Sequence, residues 1–526
     1  MPIITPLTAL DLVLGLLGLY ILKALLIKHQ PVPPGPRPLL ILGNLLDMPK
    51  ERSWETFTEW GRKWGPIVSI SVLGQRIVIL NRAEDAVELL DKKGLIYSDR
   101  PSMPISRLVG WDRWLVFTPY ADERFRYVRK MFHQAIGTSA AMSQYHHVEE
   151  QETSRFLQRL LVNPERLEDH IRTTAGAVII RISYGYHPDG PDDHFVKLAT
   201  LAMEHFSEGA DPGALLVNSI PALADLPEWM PGTGFKQTAR YWAKNLSEMV
   251  ELPYKFVKEQ MALGTAEPSI TSRAIEAQPD LNPDNEAVLK WAGSAIFAGG
   301  ADTTVASIYA FFKAMVLYPE VQRKAQSEID AVIGNVRLPA CSDRDSLPYV
   351  NALVLEVFRW HSVAPGGVPH MAKEDASYKG HFIPKGSTIL PNVWGMAHDP
   401  TVYHDPMAFN PDRFLSRPGY TAEPDPRSIA FGFGRRICPG ASHQHVHPFV
   451  RLTLNTGRAL ADTSVFLSCA MALAVFNISA YKENGKTILP DILQSSGVVS
   501  HPTPFKYNIK PRSEAAQRLI GTQGSD

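Results

Sequence analysis

Cysteine is scarce in this chain: 526 residues hold three, Cys341, Cys438 and Cys469. An odd, sparse set excludes a disulfide framework and points to a reducing compartment. Neither sign of charge dominates, because 53 basic and 54 acidic residues leave a formal net charge of −1, so nothing points to nucleic acid. Fixed-period repeats, low-complexity tracts and a G-x-G-x-x-G nucleotide fingerprint are all missing. What remains, 45% hydrophobic and 20% charged residues, is the composition of a soluble globular protein.

One long apolar run departs from that composition. Leu12 to Leu22 is apolar apart from two glycines and a tyrosine, and Leu7 to Ile27 reaches the roughly 20 residues that cross a bilayer. Asp11 and Lys23 lie near its ends, where charges can reach the interface. A cleaved signal peptide would want a basic leader and a small-residue cleavage site, and neither stands out. Lys23, Lys28 and Arg37 follow the run and place the main body on the cytoplasmic side. The expected organisation is a single-pass anchor in residues 1–30, spanning about 7–27. A stiff proline spacer (PVPPGPRP) follows at 31–38, then one globular body at 39–512 and a polar tail at 513–526. Within the body, Ile67 to Leu73 and Arg76 to Asn81 flank Gly74-Gln75 and read as a hairpin. Most of the rest has helical periodicity with short strands such as His381 to Pro391, and the polar stretch 264–285 reads as a surface connection.

The densest chemistry is FGFGRRICPG, Phe431 to Gly440. A lone thiol among glycines, two arginines and a proline suits a thiolate held on a tight loop to ligate iron. Gly434 and Gly440 let backbone approach a flat cofactor. Arg435 and Arg436 favour ionised sulfur and can pair an anionic group on the ligand. Pro439 fixes the turn after the cysteine. The competing reading is a buried cysteine in a glycine-rich turn. The spacing F-x-x-G-x-R-x-C-x-G, met at Phe431, Gly434, Arg436, Cys438 and Gly440, resembles the haem-binding signature of the cytochrome P450 family. That resemblance implies a mainly α domain with a smaller β region, haem b with iron held axially by Cys438, and O2 as co-substrate. No second redox domain fits in the remaining length, so electrons must come from a separate protein, which the resemblance implies is a membrane-bound NADPH-cytochrome P450 reductase.

Trp291 to Leu317 is a long apolar helical stretch containing GGADTT, Gly299 to Thr304. Adjacent glycines inside a helix cost about 1 kcal/mol each relative to alanine. Thr303 lies four residues after Gly299, where its hydroxyl can bond that carbonyl and open the helix. Asp302 and Thr303 then supply an acid and an alcohol for relaying protons. The bland alternative is a kinked core helix with Asp302 paired elsewhere. The segment resembles the family's [A/G]-G-x-[D/E]-T-[T/S] pattern, which favours the relay.

Glu356 and Arg359 in LVLEVFRW stand one helical turn apart. The bare E-x-x-R pattern recurs at Glu59/Arg62, Glu123/Arg126, Glu152/Arg155 and Glu320/Arg323; only the apolar surroundings of Glu356 predict burial. Arg413 in FNPDRF is the expected third member of this ion network, whose role is folding around the cofactor. ERFRYVRKMF resembles the family's W-x-x-x-R helix, with Phe125 in the tryptophan's place and Arg129 as the propionate-pairing arginine. His370 in GGVPH resembles a further propionate contact, against an ordinary strand-end histidine. By the same resemblance, substrate-facing positions fall between Arg100 and Tyr120, before Ala298, in Val363 to Val368 and around Ser496 to Val499.

One segment breaks the pattern. In the family a helix follows the cysteine loop directly, but here ASHQHVHPFVRLTLNTG, 441–457, intervenes before RALADTSVFL. Deleting it yields an unbroken CPGRALADTSVF, and codons for its ends can supply donor-like and acceptor-like splice sites in frame, so a retained intron is expected. The combined reading is a haem-thiolate monooxygenase at the endoplasmic reticulum membrane that oxidises a hydrophobic small molecule. LPEWMPGTGFKQTAR and HPTPFKYNIKPRS resemble fungal enzymes related to O-methylsterigmatocystin oxidoreductase, which implies secondary metabolism and a terpenoid or polyketide substrate. The alternatives are a haem-thiolate isomerase or dehydratase, which would have no need of Asp302 and Thr303, and a degenerate haem-binding protein if 441–457 is genuine.

Overall fold

The computed structural model describes residue 15 and residues 30–190, 192–210, 215–278, 282–439 and 459–521. The expected anchor (Gly15 apart), Gly440 and the segment 441–457 lie outside the described residues. Among the described residues helix predominates and the strands form three small sheets, giving the expected mainly α arrangement.

The centre is the helix Pro283–Leu317, started by Asn282, whose side chain accepts from the Asn285 amide. From Leu289 onward it carries apolar residues on every side, and such a helix must be buried. It packs against the helices Leu167–Tyr184, Phe235–Leu263 and Ala459–Val475. Among the described residues it alone is long and apolar enough to span a bilayer, but 72% of its apolar window is buried inside the protein. It is therefore a core helix.

Strands β1 (Ile67–Val72) and β2 (Gln75–Leu80) form the expected hairpin, with Ile67 opposite Leu80. Its turn uses Leu73 and Gly74, at φ 48° and 85°, the left-handed pair that a two-residue hairpin requires. The turn thus sits one residue earlier than the sequence reading placed it. Strands β3 (His370–Met371), β4 (Ala376–Tyr378), β5 (His381–Ile383) and β6 (Thr388–Pro391) follow, β6 lying parallel to β2 and antiparallel to β3. Strands β7 (Phe476–Glu483), β8 (Lys486–Ile488) and β9 (Tyr507–Pro511) make a separate sheet in the order β8-β7-β9.

Three segments differ from expectation. The proline stretch is docked along the sheet: the Ser69 amide and hydroxyl donate to the carbonyls of Pro34 and Pro33, and the Phe382 amide to Pro31. The connection 264–285 contains the helix Ile270–Glu276, which Ser269 and Ser272 start with reciprocal capping bonds. The polar tail is shorter than expected, because Glu514–Gly521 is a helix that buries Ala516 and Ile520 in the main core. Two apolar side chains four residues apart were enough to dock it.

Candidate active site

The cysteine loop is closed by a backbone bond from the Cys438 amide to the Phe431 carbonyl at 2.8 Å. Gly434 has φ 55°, and a Cβ there would stand 2.1 Å from the Leu90 carbonyl oxygen, so only glycine lets the loop sit this close to its neighbour. Phe431 meets Phe358 at 5.4 Å between ring centroids and ties the loop to the helix Pro348–Trp360. Cys438 is exposed and not disulfide-bonded.

Cations gather around this loop. Arg129, on the helix Glu123–Ile136, donates to the Ile437 carbonyl at 2.5 Å. Burial lowers its pKa and the Cys438 charge opposes that shift, so guanidinium and sulfur feel one another. Arg436 donates to the carbonyls of Ser98, Leu115 and Thr118, and burial brings its pKa down to about 10. Its guanidinium lies 4.2 Å above the Phe125 ring. Phe125 therefore supports Arg436 by a cation–π contact. Arg435 covers the Tyr120 ring, and one of its Nη atoms is buried with no partner.

Arg100 is a member that sequence reasoning assigned to the substrate side. It donates to the carbonyls of Val116, Val368 and Pro369, and burial followed by Arg436 pushes its pKa well down. His370 is buried and its Nδ1 meets the Tyr97 carbonyl at 2.8 Å, so Nδ1 carries the proton. Burial, then Arg100, hold the ring neutral, and it can donate from Nε2 only once negative charge arrives beside it. Asp99, which accepts from the Tyr120 amide, favours charged Arg436. Four guanidiniums and a histidine around one carboxylate make a setting that lacks anionic charge.

The glycines of the long helix divide their tasks. A Cβ on Gly300 would stand 2.8 Å from Ile179, whereas one on Gly299 would meet nothing within 4 Å. Gly300 lets two helices touch, and Gly299 opens on space. Thr303 Oγ1 donates to the Gly299 carbonyl at 2.8 Å, the bond expected from the spacing. The helix nevertheless runs unbroken from Pro283 to Leu317, because the hydroxyl adds to the backbone ladder without displacing it. Asp302 takes other partners: its Oδ1 lies 3.1 Å from Arg172 and 3.1 Å from His501 Nε2. The acid and the alcohol therefore face different neighbours, and the alternative pairing for Asp302 is the one observed.

Glu356, Arg359 and Arg413 are brought together as expected. Glu356 accepts twice from Arg359, at 2.7 and 2.8 Å, once from Arg413 at 3.1 Å and once from the Asn410 amide at 2.7 Å. Sequence reasoning missed Glu423, which binds Arg413 at 2.7 Å, and the carbonyls of Ala397, Pro406 and Ala408 that complete Arg359. It also set aside Glu152/Arg155, although Glu152 is buried and shared by Arg155 and Arg181.

Beside the long helix one apolar cluster collects Trp114, Phe206, Ala298 and Val499, with Phe117, Val363 and Val498 packed on it. The indole of Trp114 donates to Ser294. Segments expected to face a substrate thus meet in one apolar cluster.

Comparison with known proteins fits this site. A family model described as cytochrome P450 matches residues 33–453. Similar chains include Cytochrome P450 monooxygenase 208 of Postia placenta, 48% identical over 93% of this chain and 92% of that protein. Cytochrome P450 monooxygenase claR of Ampulloclitocybe clavipes is 46% identical over 99% and 94%. O-methylsterigmatocystin oxidoreductase of Aspergillus flavus is 38% identical over 97% and 94%. The chain belongs to the cytochrome P450 family and is a monooxygenase of that family.

Proposed function

We propose that the chain binds haem b with the Cys438 thiolate on the iron and oxidises a hydrophobic multi-ring molecule, a terpenoid or polyketide. The observation that carries the reading is the excess of guanidinium about the cysteine loop, with an Arg435 Nη buried without a partner. Two propionates supply the missing anions, with Arg100, Arg129 and Arg436 placed to meet them and His370 able to follow once they arrive. Bound haem supplies O2 binding and oxidation, and thiolate ligation favours O–O cleavage.

The chain's own residues do the rest. Arg129 favours ionised over protonated Cys438. Gly299 leaves room beside the helix, and the Thr303 hydroxyl, fixed on the Gly299 carbonyl, is held there to pass protons, with Asp302 as its acid reserve. The apolar wall of Phe117, Val363 and Val499 excludes water and selects apolar rings, in keeping with a relative whose name specifies O-methylsterigmatocystin. Electrons come from NADPH through a separate reductase. The anchor at 7–27 holds the body at the endoplasmic reticulum membrane, and Leu40, Ile41 and Leu46, exposed by 66, 67 and 74%, offer further apolar side chains to it.

Thr303→Ala tests the proton role. With reductase and an accepted substrate, product formed per NADPH should fall at least about tenfold as hydrogen peroxide rises, a lower bound set under the roughly 10²–10⁴-fold that a positioned proton donor contributes. Unchanged coupling would remove Thr303 from the reaction.

The segment 441–457 is read as a retained intron. The helix Ala459–Val475 resumes the buried core immediately afterwards, with Asp462 held by Arg344 and Arg427. The mature transcript should lack HQHVH. A message that retains it would favour the degenerate reading, which an absent haem spectrum would then establish.

A further inference from the structure

We infer that Lys313 is a specificity-determining positioning residue: buried in the long helix, it pins the neck of a finger at 491–503 and so sets where Val498 and Val499 meet a bound multi-ring molecule. The inference rests on the reading of a haem-bound oxidase for apolar rings, and its test separates the two.

A lysine has little reason to lie in this part of the helix. Phe311, Phe312, Ala314 and Met315 around it are fully buried, and Lys313 itself is exposed by only 1%, a place lysine takes almost only when its charge is paired. Its Nζ lies within hydrogen-bonding distance of four oxygens: Asp491 Oδ1 at 3.0 Å, Thr503 Oγ1 at 2.7 Å, and the carbonyls of Leu493 and Thr503 at 3.1 and 3.3 Å. These groups also bind one another. Asp491 Oδ1 accepts from the Leu493 amide at 3.0 Å and from the Thr503 hydroxyl at 2.6 Å, and the Thr503 amide donates to the Leu493 carbonyl at 3.2 Å. Lys313 therefore sits inside the knot that draws the two ends of the finger together. Asp491 is half exposed, so the knot has one face in the core and one in water.

From this neck the finger runs out as a narrow ladder. Gln494 bridges Pro502, the Ser495 amide donates to the His501 carbonyl at 2.7 Å, and the Ser500 amide donates to the Val363 carbonyl at 2.8 Å. The tip reaches the apolar cluster: Val499 is buried there with Ala298 and Phe206, and Val498 packs on it. A Cβ on Gly497 would lie 3.9 Å from Ser207 Oγ, so the tip also stands against the helix His194–Ala210. The finger meets the long helix at two levels, where His501 approaches Asp302 at 3.1 Å and where the neck closes on Lys313. Eleven residues separate these levels, about 16 Å along a helix. One contact alone would let the finger pivot, whereas two fix its tilt. The place of Val498 and Val499 is thus referred to the helix that carries the opening beside Gly299, and Lys313 is the far reference point.

The test uses the full chain loaded with haem and two azoles, whose nitrogen binds the iron and moves the Soret band. Imidazole is too small to reach the finger, whereas clotrimazole carries a bulky trityl group for the apolar cluster. Lys313→Met keeps the length and packing of the stem but offers no proton to the knot. Its dissociation constant for clotrimazole should rise at least about fivefold, the worth of roughly 40 Å² of apolar contact. That for imidazole should stay within about twofold of the parent. Thr503→Val opens the same knot from the finger's side without touching the long helix, and should shift the two constants in the same sense. A second readout needs no azole: amide exchange at Leu493 and Thr503 should quicken in both variants while amides of the long helix stay protected. Clotrimazole binding unchanged in both variants, equal weakening of both azoles, or exchange that quickens throughout the long helix would each overturn the inference. A parent chain whose Soret band answers neither azole would instead overturn the haem reading beneath it.

Discussion

A Cys438→Ser chain is expected to lose the thiolate-type Soret band of the reduced, carbon monoxide-bound protein, and with it turnover by roughly three orders of magnitude, about 4 kcal/mol of barrier. The physical reason is acidity. A thiol beside a guanidinium ionises near neutral pH, and Arg129 is close enough to Cys438 for each to feel the other's charge. A serine hydroxyl stays protonated in the same place and offers iron a weak neutral donor. The substitution does little else. The bond closing the loop is made by the backbone amide of residue 438, and the Cys438 side chain is exposed. A variant that keeps its melting temperature without haem yet loses the spectrum would isolate the ligand role. Retention of both spectrum and turnover would place the iron ligand elsewhere.

The second large effect falls on the buried ion network. Glu356→Ala leaves Arg359 and Arg413, exposed by 0 and 1%, without their shared carboxylate. Removing one member of such a group costs about 3–5 kcal/mol, against a total stability of about 5–15 kcal/mol for a folded protein. Little soluble, haem-loaded protein should accumulate, and what does should melt well below the parent. Glu59→Gln is the matched control, since Glu59 and Arg62 show the same spacing on an exposed surface. There the shift should stay within about 0.5 kcal/mol, read by thermal unfolding of the two variants side by side. Equal shifts would mean that burial of the Glu356 pair carries no particular weight.

These residues also mark what could be read from the chain alone. The cysteine loop, the hairpin, the long apolar helix and the Thr303–Gly299 bond were legible because each is fixed by residues a few positions apart. Glu356 with Arg359 was legible for the same reason, helped by its apolar neighbours. Arg100, Arg181 and His501 were not, because each meets a partner across a long sequence separation, and Glu423, only ten residues from Arg413, carries no local pattern. The pairing of Asp302 shows the boundary: its place on the helix could be read, but Arg172 and His501 arrive from a packed helix and a distant loop. The proline segment misled for another reason. Its composition suggested a free-standing spacer, while the carbonyls that bind it to β1 and β5 are backbone features common to every sequence.

The contact between Gly300 and Ile179 reaches further than the two residues involved. Because Gly300 carries no side chain, the Ile179 side chain rests against its backbone, and any larger residue at 300 would push the two helices apart. The opening beside Gly299 therefore inherits its width from the opposite flank of the same helix. Within such an architecture the apolar side chains around the long helix can diversify while the gap beside Gly299 keeps its dimensions.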